Sequence, residues 1–172
     1  MSLKANRRFL GNFINLEGGS DPKVEIMPPE GLKEPLIMFS SFPPSSNALY
    51  PASGGHRHLS KKAAKYKTDV QWQFKRRFPK FEMVPKGVPF SKLFAILDLY
   101  PPDNRERDVD NFSKLLIDSF IGLIYEDDSQ VKKLLIEMHE VEAPGSAIIT
   151  FGLLDDFQQY LEKAKDITEV QL

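Results

Sequence analysis

From residue 35 onward, short apolar runs alternate with longer segments of helical spacing, and Pro and Gly separate them. Pro35-Leu36-Ile37-Met38-Phe39-Ser40 reads as a strand over 35–41, stopped by Pro43-Pro44. Ser60 is a good helix cap, and the positions after it predict a helix over 60–78. A second strand is predicted over 90–100, ended by Pro101-Pro102, and a helix over 110–121 with Gly122 just past its end. The Leu, Ile and Val content of 131–141 predicts a third strand, although its Lys and Glu residues also suit a helix. Ala143-Pro144-Gly145-Ser146 then turns the chain into a fourth strand over 147–152, closing a hairpin, and a helix follows over 155–165. The pattern predicts an α+β domain over 35–172 with a mixed four-stranded sheet, helices on one face and a C-terminal helix. Residues 1–34 read as an irregular extension with turn signals at Gly18-Gly19-Ser20-Asp21-Pro22 and Pro28-Pro29. Pro79–Pro89 reads as a Pro-rich linker.

A chain of 172 residues, 41% of them hydrophobic, suits one domain with a real core. The absence of cysteine excludes disulfides, thiolate nucleophiles and Cys-based zinc sites. No apolar run reaches the length of a membrane span, and none follows the basic N-terminus as a signal peptide requires. A cytoplasmic location, in a bacterial host or encoded by a prophage, is the expectation. The net charge of -1 argues mildly against a nucleic-acid binder, but it says nothing about distribution. Locally the 60–78 helix is strongly basic. Lys61 and Lys65 lie one turn apart, with Arg57 and His58 before them, and this face suits phosphate tracking and an ordinary solvated surface about equally. Trp72 and Phe74 are expected in the core. His56 and His58 suit a DNA-contacting loop first and a plain surface loop second, and His139 a structural role.

The chemistry concentrates in Arg107-Asp108-Val109-Asp110-Asn111-Phe112-Ser113-Lys114. On a helical wheel Asp110 and Lys114 project together, while Phe112, Leu115, Leu116, Ser119 and Phe120 lie opposite and predict the buried side. Taken alone, this is compatible with a capped surface helix carrying an Asp–Lys pair. Asp118 is expected to be a solvated charge. Two aspartates two residues apart, flanked by Arg105 and Arg107 and followed by Glu126-Asp127-Asp128, shift the balance. Carboxylates brought close repel unless a cation or proton intervenes. Hard oxygen donors without sulfur suit Mg²⁺, with Mn²⁺ as substitute. Such an ion and a nearby lysine suit phosphodiester hydrolysis.

Three motifs together resemble the RusA family of Holliday-junction endonucleases. Pro43-Pro44-Ser45-Ser46-Asn47 is similar to its Pro-Pro-Ser-x-Asn signature, residues 107–114 to its Arg-Asp-x-Asp-Asn-x-x-Lys signature, and Asp127-Asp128-Ser129-Gln130-Val131 to its Asp-Asp-x-Gln-Val signature. Their order and separations also fit, and the resemblance covers roughly residues 35–152. It implies a homodimer that binds four-way DNA junctions in recombination and repair and nicks them in pairs with Mg²⁺. By position it implies Asp108, Asp110 and Asp128 as catalytic metal ligands, Asp127 as an acidic neighbour, and Lys114 as the catalytic lysine. Asn47, Arg57, His58, Lys61, Lys65, Arg105 and Arg107 are the expected DNA contacts. Two other readings stand beside this one. A non-catalytic junction-binding protein of the same fold has no physical need for these carboxylates, and a small-molecule phosphohydrolase has no need for the basic helix.

One geometric question arises. A helix over 110–121 is about 18 Å long, and the few residues between Gly122 and Asp128 return at most about 20 Å. Either the helix is shorter, or Asp128 meets Asp108 and Asp110 across a subunit interface.

Overall fold

The structure, a computed structural model, describes residues 32, 34–49, 59–84, 86–87 and 91–169. Nearly all of the expected N-terminal extension, the His56-Arg57-His58 loop, part of the Pro79–Pro89 linker and the expected strand start at Phe90 lie outside these residues.

Four strands, β1 (Leu36–Ser41), β2 (Leu93–Tyr100), β3 (Val131–Met138) and β4 (Ser146–Leu153), form one mixed sheet in the order β1-β4-β2-β3. β4 is antiparallel to both neighbours, and β2 and β3 are parallel. The α+β class is therefore as expected, but the hairpin is not: β3 and β4 do not pair. Burial gives the reason. β4 is buried along six consecutive residues and belongs in the centre, whereas β3 is mostly exposed and sits at the edge. The link between them crosses the end of β2, where His139 N–H donates to Leu99 C=O and Glu142 N–H to Pro101 C=O, both at 2.8 Å. Gly145 stands in that link with φ +90°, and a side chain there would collide with Pro102.

α1 (Lys61–Arg77) begins at Ser60, whose Oγ accepts from Ala63 N–H at 3.2 Å. Ala63, Tyr66, Val70 and Phe74 repeat every three or four residues and form its buried stripe. Trp72, expected in the core, lies on the opposite side and is 64% exposed. α2 (Ser113–Ser119) packs with α1 on one face of the sheet, over Leu93, Ala95, Leu97 and Leu99 of β2. α3 (Phe157–Glu169) covers part of the other face, where Phe157 and Tyr160 meet Phe94. Helices on one face only is thus corrected, because β2 is apolar on both sides.

The segment expected as one helix over 110–121 splits. Val109–Phe112 is a turn of 3₁₀ helix, and the α-helical part ends at Ser119. Gly122, with φ +76°, lies in the next turn, where its N–H donates to Tyr125 C=O at 2.7 Å. That early stop shortens the path by which Asp128 returns towards the helix.

Candidate active site

The acidic segment is delivered by a loop braced with its own charges. Arg105 pairs with Asp103 at 2.8 Å. Arg107 Nη1 donates to the carbonyls of Asp103 at 2.8 Å and Arg105 at 2.7 Å, and its Nη2 binds the Asp103 carboxylate. Together the two arginines hold the Asp103 carboxyl well below the usual carboxylate range. Arg107 lies over the Phe42 ring and is only 11% exposed, so its guanidinium serves the loop, whereas Arg105 stays at the surface.

Asp108 precedes the 3₁₀ turn in extended conformation and makes no backbone cap. Its Oδ2 instead accepts from Asn111 Nδ2 at 3.2 Å, and Asn111 Oδ1 accepts from Ser46 Oγ at 2.6 Å. The Pro-Pro-Ser loop therefore positions the acidic segment through side chains 65 residues apart. Asn47 is exposed beside this link, in a 3₁₀ turn over Ser46–Ala48 that Ser45 caps. Asp110 is exposed, and its carboxylate has no side-chain partner among the described residues. Phe112, Leu115, Leu116, Ser119 and Phe120 are buried, as the wheel predicts.

Lys114 joins the pieces. Its ammonium lies 2.9 Å from Asp118 and 3.4 Å from Asp128. Asp118 first, and Asp128 with it, raise the lysine's pKa above its ordinary value and keep it charged. Asp128 thus reaches the helix within one chain, because α2 is shorter than expected and its return is correspondingly short. Asp127 and Asp128 start a 3₁₀ turn over Asp128–Gln130, in which Asp127 accepts from Ser129 N–H at 2.9 Å.

Gln130, 3% exposed, fixes this turn from below. Its Oε1 accepts from the N–H groups of Glu126 and Asp127 at 3.0 and 3.1 Å. Its Nε2 donates to the carbonyls of Val84 and Ser91, each at 3.1 Å. Sequence reasoning missed Gln130, Ser46 and Asn111 as supports: the Ser46–Asn111 link and the bonds of Gln130 to Val84 and Ser91 join residues distant in the chain, whereas the contacts of Asn111 with Asp108 and of Gln130 with Glu126 and Asp127 are local. Asp118 had a readable signal, since it stands four residues after Lys114.

Asp108, Asp110 and Asp128 offer only hard carboxylate oxygens; Asp108 and Asp110 are exposed, and Asp128 is half-buried beside Lys114. This donor chemistry fits Mg²⁺ or Mn²⁺. Among the described residues, however, the group whose ligand atoms all lie within 4.8 Å is a different one: Asp98, Glu137 and His139. His139 Nε2 is 2.8 Å from Asp98, its ring stacks on Tyr100, and its Nδ1 lies 3.9 Å from Glu137. Both ring nitrogens already face carboxylates, and this arrangement ties the end of β3 to β2. That is the structural role expected of His139.

The comparisons with known proteins bear on the same segments. Residues 41–149 match the family described as Endodeoxyribonuclease RusA, a span that contains the Pro-Pro-Ser-Ser-Asn motif and both acidic motifs. The chain belongs to the RusA endodeoxyribonuclease family. It is also 34% identical over 108 residues to the crossover junction endodeoxyribonuclease rusA of Enterobacteria phage HK97, covering 62% of this chain and 84% of that protein. In this RusA-family chain the three motifs form a connected structure: Ser46 to Asn111 to Asp108, and Lys114 to Asp128. Arg57 and His58 lie outside the described residues, while Lys61 and Lys65 are exposed on α1.

Asp127 offers a pH test of the turn. Its hydrogen bonds with Ser129, and secondarily with Lys86, hold its carboxyl down at about 2. A depressed carboxylate supports the fold above its unfolded pKa of about 3.9, and that support is lost as pH falls towards 2. An NMR titration should therefore find the Asp127 midpoint near 2 in the native chain and higher in Ser129→Ala. A wild-type midpoint near the unperturbed value would contradict the turn described.

Proposed function

We propose that this chain is a Mg²⁺-dependent, structure-selective endodeoxyribonuclease that resolves four-way DNA junctions by paired nicks. The observation that carries the reading is the approach of Asp128 to Lys114 beside the Asp108–Asp110 segment, within one chain of a RusA family member. Asp108, Asp110 and Asp128 would hold the metal, with Asp127 next to them. When bound, Mg²⁺ supplies Lewis-acid polarisation of the phosphate and a more acidic water.

The chain's own residues supply the rest. Lys114 places a positive charge where negative charge develops on the phosphate, and Asp118 and Asp128 keep it protonated and aimed. Asn111 and Ser46 fix the angle of Asp108. Arg105, Asn47, Lys61 and Lys65 are exposed and suit contacts with the DNA backbone, together with Arg57 and His58. Arg107 acts by bracing the loop.

Paired nicking calls for two sites, and the edge of the sheet supports a homodimer. Among the described residues β3 pairs on one side only. It carries Leu134 and Leu135, 43% and 44% exposed, on opposite faces of the sheet. An open edge carrying exposed leucines suits pairing with another strand, here that of a second copy, with Lys132, Lys133 and Glu137 exposed along the same strand.

The test is incubation of the purified protein with a synthetic four-way junction in Mg²⁺ and in EDTA. Symmetric paired nicks in Mg²⁺, absent in EDTA, are expected. Tight junction binding without cleavage under Mg²⁺ or Mn²⁺ would replace the proposal with a binding-only role.

A further inference from the structure

The outer face of α1 has a property that phosphate tracking alone leaves unexplained. Between Lys61 and Arg77 the helix holds seven Lys or Arg residues and one acidic residue, Asp69, a net of +6 in a chain whose total is -1. Lys61, Lys65, Thr68, Trp72 and Arg76 recur at intervals of three or four, so at about 100° per residue they line one stripe. The stripe lies opposite the buried Ala63, Tyr66, Val70 and Phe74. Trp72, the fourth of these five positions, is the most exposed large apolar side chain among the described residues, at 64%. The Arg76 guanidinium lies over its ring, 5.9 Å from the centroid. Asp69 is paired with Lys65 at 2.6 Å.

A hydrophobic partner surface would be poorly matched by this surround of cations, and a purely ionic contact would not need an indole. A polyanion with aromatic faces matches both features. We infer that the outer face of α1 binds DNA, with Trp72 stacking on an unpaired base while Lys61, Lys65 and Arg76 hold the adjoining phosphates. The stripe spans 16 residues, from Lys61 to Arg76, about 22 Å along the axis. That is long enough to follow about six nucleotides of one strand at the duplex rise. Base–aromatic stacking tolerates any sequence, and Arg76 can sandwich the indole from its other side. A continuous duplex hides its base faces, so the stripe favours branched or single-stranded DNA over uninterrupted duplex. The inference rests on the proposed DNA substrate and adds a recognition element to it.

Trp72 is the chain's one tryptophan, so its emission reports on this residue alone. The full-length protein, in EDTA to prevent cleavage, is titrated with a four-way junction carrying unpaired bases at its crossover, a single strand and a continuous duplex. Binding is followed independently by anisotropy of labelled DNA. Emission should fall at least about twofold on saturation with the junction and the single strand, and much less with duplex. Trp72→Ala should weaken binding of the first two by about 5- to 100-fold, and Trp72→Phe by much less. Unchanged melting of both variants is expected, since the side chain is exposed. Unchanged emission during binding seen by anisotropy overturns the proposal, as does equal quenching by duplex or undiminished binding by Trp72→Ala. Failure of the nuclease reading is seen separately, as no nicking in Mg²⁺ of a junction that still binds, whereas failure of the stacking alone leaves junction binding and Mg²⁺-dependent nicking intact.

Discussion

Asp110→Asn is expected to slow junction cleavage by at least about 10²–10³-fold, with junction affinity unchanged within a few-fold. The substitution keeps shape and hydrogen-bonding capacity and removes one negative charge. Asp110 is exposed and its carboxylate has no side-chain partner among the described residues, so the change should not lower the melting temperature. Removing a carboxylate from a carboxylate-rich patch even relieves repulsion. The expected signature is therefore lost turnover with preserved or slightly tighter binding. Single-turnover rates on a labelled junction, beside a binding titration, measure both quantities. A rate within about tenfold of wild type would remove Asp110 from the metal-holding set.

How much of this site was legible before the fold was known follows from how far each signal reaches along the chain. The 3.6-residue pattern correctly paired Lys114 with an outward face and Leu115, Leu116 and Phe120 with the core. Ser60 marked the start of α1 because capping is a local interaction. The helix end at Ser119 was missed, since Ile121 and Leu123 continue an apolar pattern that suits helix and turn alike. The β3–β4 hairpin was wrongly expected for a similar reason. A turn-forming Ala-Pro-Gly-Ser lies between two apolar runs, but pairing is decided by which strand must be buried on both faces. Trp72 was misplaced because its residue type was weighed above its wheel position, which lies opposite Val70 and Phe74. The link from Ser46 to Asn111 has no local signature, although each residue stands inside a recognisable motif.

Gln130→Leu is expected to have the largest effect on stability. The replacement preserves approximate volume and removes an amide that makes at least four hydrogen bonds to backbone groups of three segments. Two N–H groups and two carbonyls would lose their partners in a site only 3% exposed. At about 1–3 kcal/mol for each group left unsatisfied, partly offset by water entry, the loss should total about 3–5 kcal/mol. For a chain of this size that lowers Tm by roughly 10 °C. Thermal unfolding followed by circular dichroism measures it, and a fall of less than about 2 °C would show that the amide does not bear on this turn. Cleavage by the surviving folded fraction should also fall, because Gln130 fixes the turn that presents Asp128.

The short α2 has a consequence beyond placing Asp128. Since Lys114 and Asp128 meet inside one polypeptide, the proposed cutting site would draw both of these groups from the same copy. On that proposal the two incisions that resolve a junction would be chemically independent events. Their timing would be governed by how long the DNA stays clamped relative to the interval between cuts, a matter of residence time instead of shared residues.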